Sequence, residues 1–240
     1  MNYESLLNKE AHRNQKKKLI HPRFNSDVLK MTAVVTMLLD HVGSLLIDHK
    51  THALLYVIFR CIGRLSFPLF AFLLVQGFHH TRNVRSYALR LFLFAVLSEP
   101  FYDYAFYGTF FTLTYQNIMW TLLLGLLVIS AIRLNGDSTI ATIGFTFLGC
   151  LIAVFFNPDY SLYGVLMIVF FYFDAYDRMG RVVSIIILNA FMGGIQFLGS
   201  FALLFTEMYK EEKRKLPKYI FYVFYPLHLG ILILIRYLLK

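Results

Sequence analysis

The sequence predicts an all-α fold, a polytopic transmembrane helix bundle of about eight spans. Composition is the first reason: 58% of the 240 residues are hydrophobic and 15% are charged, against about 25% charged in a soluble domain. The second is that apolar runs recur along nearly the whole chain, near the roughly 20 residues that a helix needs to cross a bilayer. The third is that the runs lack the alternating ten-residue pattern of a membrane β-barrel.

The elements follow in order. Residues 1–26 read as a basic cytoplasmic tail, holding Lys9, Arg13, Lys16, Lys17, Lys18 and Arg23. The stretch is too long and too charged for the start of a cleaved signal, and it suits anionic lipid headgroups. Residues 27–240 form a single transmembrane domain with apolar runs at 28–47, 54–78, 87–106, 117–134, 139–156, 160–173, 182–205 and 219–239. The connections are short, so consecutive helices are expected as antiparallel neighbours. The net charge of +9 then belongs to topology and to the lipid bilayer. Nucleic acid is not an expected partner, because no soluble face exists to bind it. Cys61 and Cys150 both fall inside apolar runs and read as small hydrophobes.

Orientation follows from Lys and Arg. With the N-terminus in the cytoplasm, the inner segments hold the tail together with Arg82, Arg85, Arg133, Arg178 and Arg181. The basic run from Lys210 to Lys215 disturbs this pattern. Either 182–205 is a re-entrant hairpin turning at Gly193 and Gly194, or it is one ordinary span followed by a mixed-charge outer loop. The ordinary span is the preferred expectation, since half-length helices are rare in lipid.

Charged groups inside spans cost about 2.5–3.5 kcal/mol each on insertion scales, so each marks a site or a buried pair. Lys30 and His41 lie eleven residues apart, three helical turns at nearly one azimuth, which puts the imidazole about 16 Å deeper than the cation. Asp40 points roughly 100° away from His41. The plain alternative is an interfacial Asp and His ending a span. Arg60 and Arg64 share a mid-span face ahead of the kink expected at Pro68. They need carboxylates, phosphates or water, and Glu99 or Asp103 are the expected partners in a purely structural reading. Arg82, Arg85 and Arg90 gather at the cytoplasmic edge, where arginine forks suit phosphate and positive-inside anchoring suits equally. His79 and His80 diverge as helix neighbours, and no metal is expected. Glu99 and Asp103 either orient a histidine, hold an amine or neutralise the arginines. Gln116 and Asn117 open the next span. His228, in mid-span, reads equally well as a hydrogen-bonded packing residue.

The run from Leu29 to Ala33, continuing through Met37-Leu38-Leu39-Asp40-His41-Val42-Gly43, resembles the opening helix of the TraX family, named for a conjugation protein that acetylates F-pilin. Gly63-Arg64-Leu65-Ser66-Phe67-Pro68, then Thr81-Arg82-Asn83, resembles that family's second motif, and Ser98-Glu99-Pro100, Asp103, Gln116-Asn117 and Gly125 continue the order. More distantly, Asp27-x-Leu29-Lys30-x-x-Ala33 with His41 is similar to the first helix of acetyl-CoA-dependent transmembrane acyltransferases. Lys30 stands where those proteins carry Arg. Tyr225-Pro226-Leu227-His228 resembles the Tyr-Leu-x-His of their final helix.

The resemblance implies a membrane-embedded acetyltransferase of the bacterial cytoplasmic (inner) membrane, with acetyl-CoA as co-substrate. It implies that Lys30, Arg82, Arg85 and Arg90 meet the CoA phosphates, with Arg60 and Arg64 deeper. His41 is then the general base or a transient acyl carrier. Asp40, Glu99 or Asp103 would fix its tautomer, and Gln116 or Asn117 would donate to the oxyanion. The implied acceptor is a pilin-like peptide amine or a cell-envelope glycan. A small transporter or proton-coupled carrier and a non-catalytic pilus or secretion assembly protein are the competing readings.

Overall fold

A computed structural model describes residues 24–136, 138–173, 178–212, 216–217 and 219–239. Most of the expected basic tail, residues 1–23, lies outside the described residues. The helices are α1 (Ser26–Leu46), α2 (Ala53–Gly63), α3 (Ser66–His80), α4 (Val84–Tyr107), α5 (Ile118–Leu134), α6 (Thr139–Phe156), α7 (Ser161–Tyr172), α8 (Arg178–Met192), α9 (Ala202–Glu207) and α10 (Tyr219–Leu238), with a 3-10 helix at Gly194–Phe201 ahead of α9. The all-α expectation holds. Four stretches among the described residues are long and apolar enough to cross a membrane: Ser26–Leu46, Ala53–His80, Thr139–Phe156 and Tyr219–Leu238. The helix Val84–Tyr107 is longer than three of these but carries Arg85, Arg90, Glu99 and Asp103.

The bundle has an apolar core and also exposes large apolar side chains, the pattern a lipid solvent requires. Leu29, Ala33, Leu69, Leu126, Ile129 and Met167 are fully buried, while Phe155 and Phe191 are 84% and 89% exposed. Asn25 starts α1 by accepting from the amides of Asp27 (3.1 Å) and Val28 (3.0 Å), and Asp27 adds a charge favourable to the helix dipole. The first helix then packs against α2, α3 and α10. The kink expected at Pro68 shows as a local change of hydrogen bonding at Arg64 and Leu65, which keep right-handed helical angles while their amides bond back three residues, to Cys61 and Ile62. Proline cannot donate to the carbonyl four residues earlier, and the run 54–78 divides at Arg64 and Leu65 into α2 and α3.

The largest departure from expectation is the stretch 182–205, which is a hairpin and not one span. Helix α8 ends at Met192, Gly193 and Gly194 adopt positive φ of 67° and 53°, and the 3-10 helix and α9 run back. Glycine takes those angles without the steric cost that a Cβ imposes. Arg178 at the start of α8 and Glu207 at the end of α9 are ion-paired, and Arg181 joins the same carboxylate. The returning chain reaches the beginning of α1: the Phe24 amide donates to the Met208 carbonyl (3.0 Å) and the Lys210 amide to the Phe24 carbonyl (2.8 Å). His80 at the end of α3 lies 3.4 Å from Glu211. Lys210 therefore sits at the same end of the bundle as the start of α1, the tail end.

Side-chain hydrogen bonds tie this hairpin to the rest of the bundle. Gln196 of the 3-10 helix donates to the Tyr163 hydroxyl (2.9 Å), and Tyr163 donates to Asn189 of α8 (2.8 Å). Arg64 donates to Gln196 (3.3 Å).

Candidate functional site

Two histidines from opposite ends of the sequence meet inside the bundle. His41, late in α1, and His228, midway along α10, have their rings nearly parallel at 5°, with His41 Nδ1 2.7 Å from His228 Nε2. His228 Nδ1 lies 2.8 Å from the Phe224 carbonyl. A carbonyl only accepts, so His228 Nδ1 carries the proton and the neutral ring presents Nε2 as an acceptor. With both rings neutral, His41 then donates from Nδ1, which leaves His41 Nε2 as an acceptor. The same logic by which a second group fixes a catalytic histidine's tautomer applies here, with an imidazole and a carbonyl in place of a carboxylate. Phe106 closes one side, edge-on to His41 at 5.6 Å, and Tyr225 flanks His228 at 5.6 Å.

Asp40 turns to the other side of α1 and holds both arginines of the run 54–78. Arg60 donates to its Oδ2 at 2.7 Å and Arg64 to its Oδ1 at 2.5 Å. All three side chains are less than a quarter exposed. Gly63 makes the contact possible, because a Cβ there would stand 2.3 Å from Asp40. Asp40, Arg60 and Arg64 are thus one another's partners. Arg60 and Arg64 find their carboxylate on α1 and not in Glu99 or Asp103, and Asp40 is a clamp beside the histidine pair.

The other expected site residues are placed as follows. Glu99 accepts from the Asn117 amide (3.1 Å), from Asn117 Nδ2 (2.6 Å) and from Trp120 Nε1 (2.6 Å), fastening α4 to α5. Asn117 spends its second amide hydrogen on the Ala95 carbonyl (2.8 Å) and accepts from the Met119 amide (2.9 Å), so its side chain caps α5 and has no donor left for an oxyanion. Asp103 accepts from the Thr112 amide (2.8 Å). Gln116 is held by its backbone to the turn at 157–159. The side chain at hydrogen-bond distance from the His41 ring is His228, where a carboxylate was expected.

Three of the expected phosphate-contacting residues do come together. A cleft of about 300 Å3 at the tail end is lined by Lys30, Arg82 and Arg90, with His80, Thr81, Tyr87 and Tyr222 among its other walls. The Lys30 ammonium lies 5.0 Å from the centre of the Phe221 ring, and Arg90 lies over Tyr87 at 5.6 Å. Arg90 Nε is buried and has no hydrogen-bond partner. Arg85 is exposed and outside this cleft. Among the described residues no group of three or more His, Cys, Asp or Glu is placed to hold a metal.

The family described as TraX protein matches residues 25–236 of this chain. The chain belongs to the TraX family. A curated relative, "Probable fimbrial assembly protein FimC, serogroup H1" of Dichelobacter nodosus, is 30% identical over 240 residues, covering 87% of this chain and 94% of its own length. No solved structure matches. The histidine pair, the Asp40 clamp and the tail-end cleft all fall within the span shared with the TraX family.

Proposed function

We propose that this TraX-family membrane protein is an acetyltransferase that takes acetyl-CoA from the cytoplasm at the tail end. It would pass the acetyl group to an amine or hydroxyl brought to His41. The single observation that carries this reading is the hydrogen-bonded chain from Phe224 through His228 to His41, which leaves His41 Nε2 unprotonated. A bare imidazole nitrogen inside a bundle is suited to take a proton from an acceptor.

The tail-end cleft supports the donor side. Its three cations, Lys30, Arg82 and Arg90, fit a polyanion. Lys30 and His41 share a helix face about 16 Å apart along the axis, a spacing that an extended pantetheine arm can bridge. In the transfer, the acceptor nitrogen or oxygen bonds to the acetyl carbonyl carbon and the carbon–sulfur bond breaks. The acceptor's proton passes to His41 Nε2, and CoA leaves as the thiol once that proton is delivered to its sulfur. Transfer through a transient acetyl-imidazole on His41 uses the same atoms in two steps.

The name of the Dichelobacter relative favours a second reading, a non-catalytic role in fimbrial assembly. Purified protein in lipid nanodiscs, given acetyl-CoA labelled in the acetyl group, separates the two. Release of CoA and saturable CoA binding are expected from an acetyltransferase. Neither is expected from an assembly protein, and the absence of both would overturn the proposal.

A further inference from the structure

A second cleft, of about 240 Å3, adjoins the tail-end cation cleft, and Lys30, Leu73, Gly77 and His80 line both. Leu73, Gly77 and His80 fall on one face of α3, so that face is the wall the two clefts share. Their other walls differ in charge. The first cleft has Arg82 and Arg90. The second has Glu211 and Glu212, on the strap that follows α9, together with Gln76 and Tyr209. The strap is fixed in place: the Lys210 amide donates to the Phe24 carbonyl at 2.8 Å, and Glu211 lies 3.4 Å from His80. A carboxylate only accepts hydrogen bonds. A ligand filling both clefts is therefore anionic at one end and offers N–H donors at the other. Gln76 is half-buried in the wall of the second cleft, and among the described residues its amide makes no hydrogen bond. Its oxygen is free to accept and its nitrogen to donate. That pair complements the edge of a 6-aminopurine, where an exocyclic amine donates beside a ring nitrogen that accepts.

We propose that the adjoining clefts hold one adenine nucleotide, its phosphates on Lys30, Arg82 and Arg90 and its base in the strap-side cleft, where Gln76 reads the 6-amino group. That this nucleotide is the adenosine end of acetyl-CoA rests on the acetyl-transfer reading; the seat for the base does not. Gln76 is then a specificity-determining residue of the donor site. The acids of the strap set the ligand's direction, because Glu211 and Glu212 repel phosphate from the second cleft while the arginines attract it to the first. Lys30 and His80, on the shared wall, stand where the phosphates meet the nucleoside.

The test uses full-length protein in phosphatidylcholine nanodiscs and titration calorimetry with two probes, ADP and purine riboside diphosphate, which lacks only the 6-amino group. ADP is expected to bind roughly fivefold tighter, the size of one neutral hydrogen bond. Gln76→Met keeps the length of the side chain and removes its hydrogen bonds; it is expected to erase that ratio while leaving the affinity for the deaminated probe unchanged. Arg82→Gln is expected to weaken both probes alike and to keep the ratio. Inorganic pyrophosphate, which has no base, is expected to bind more weakly than ADP and to be indifferent to Gln76→Met. Equal affinity for the two nucleotides, a ratio that persists in Gln76→Met, or no saturable ADP binding would overturn the proposal. An ADP preference that depends on Gln76, in a protein that never releases CoA from acetyl-CoA, would leave the base seat standing and remove the acetyl-transfer reading. Release of CoA with a KM for acetyl-CoA that Gln76→Met leaves unchanged would do the reverse.

Discussion

The Nδ1 of His41 and the Nε2 of His228 lie 2.7 Å apart across 187 residues of sequence. Because His228 donates in turn to the Phe224 carbonyl, the pair has a direction, and its open end is His41 Nε2. On the proposed reading, His228 positions His41 as the base on another helix. His228→Ala is expected to lower acetyl transfer by about a hundredfold, at the lower end of the range for a general base. His228→Gln, whose side-chain oxygen can accept from His41 Nδ1, is expected to recover part of that loss. Turnover of both variants, measured beside their thermal unfolding in detergent, checks this; equal loss in the two would point to packing alone.

The clamp of Asp40 on Arg60 and Arg64 gives a stability prediction. Asp40→Asn would leave two buried guanidiniums without their carboxylate, a change that costs about 3–5 kcal/mol for a broken buried pair. Gly63→Ala is expected to act in the same direction by driving Asp40 away from α2, since the added Cβ would stand 2.3 Å from it. Denaturant unfolding in micelles measures both.

The tail-end cleft separates the cationic residues into two groups. Lys30→Gln, Arg82→Gln and Arg90→Gln are each expected to raise the KM for acetyl-CoA several-fold, since each removes a charge-assisted contact. Arg85→Gln, outside the cleft, is expected to leave it unchanged. A uniform effect across all four would indicate a general surface potential in place of a site.

Topology is open to a direct check. Lys210→Cys and Arg82→Cys, each in an otherwise cysteine-free protein, are expected to react with a membrane-impermeant thiol reagent from the same side. Lys50→Cys, in the turn after α1, is expected to react from the other. Labelling of residue 210 from the side of residue 50 would contradict the hairpin that turns at Gly193 and Gly194.

Much of the bundle was legible because lipid imposes a simple rule: long apolar runs must be helices. The hairpin was harder to read. The run 182–205 carries no charged residue, and its signals were Gly193-Gly194 and the basic loop that the ordinary span left on the outer side. The Asp40 clamp carried a signal that spacing could have given. Asp40 and Arg60 stand equally far from the turn at residue 50, so two antiparallel helices bring them to one depth. The partnership of His41 with His228 carried no local signal, since α1 and α10 meet only through tertiary packing. Glu99 and Asn117 stood out as costly polar groups, and the structure shows them hydrogen-bonded to each other across α4 and α5. A polar residue in a span announces that it has a partner without saying which.

The central claim is that His41 is the reacting base of an acetyltransferase, and one comparison tests it most directly. Wild-type protein and His41→Ala, both confirmed as folded in nanodiscs, are given acetyl-labelled acetyl-CoA and an amine-bearing peptide, and labelled peptide is counted. The account predicts transfer by the wild type and a loss of about 10²- to 10⁴-fold in His41→Ala, with CoA binding retained. Undiminished transfer in His41→Ala would contradict it.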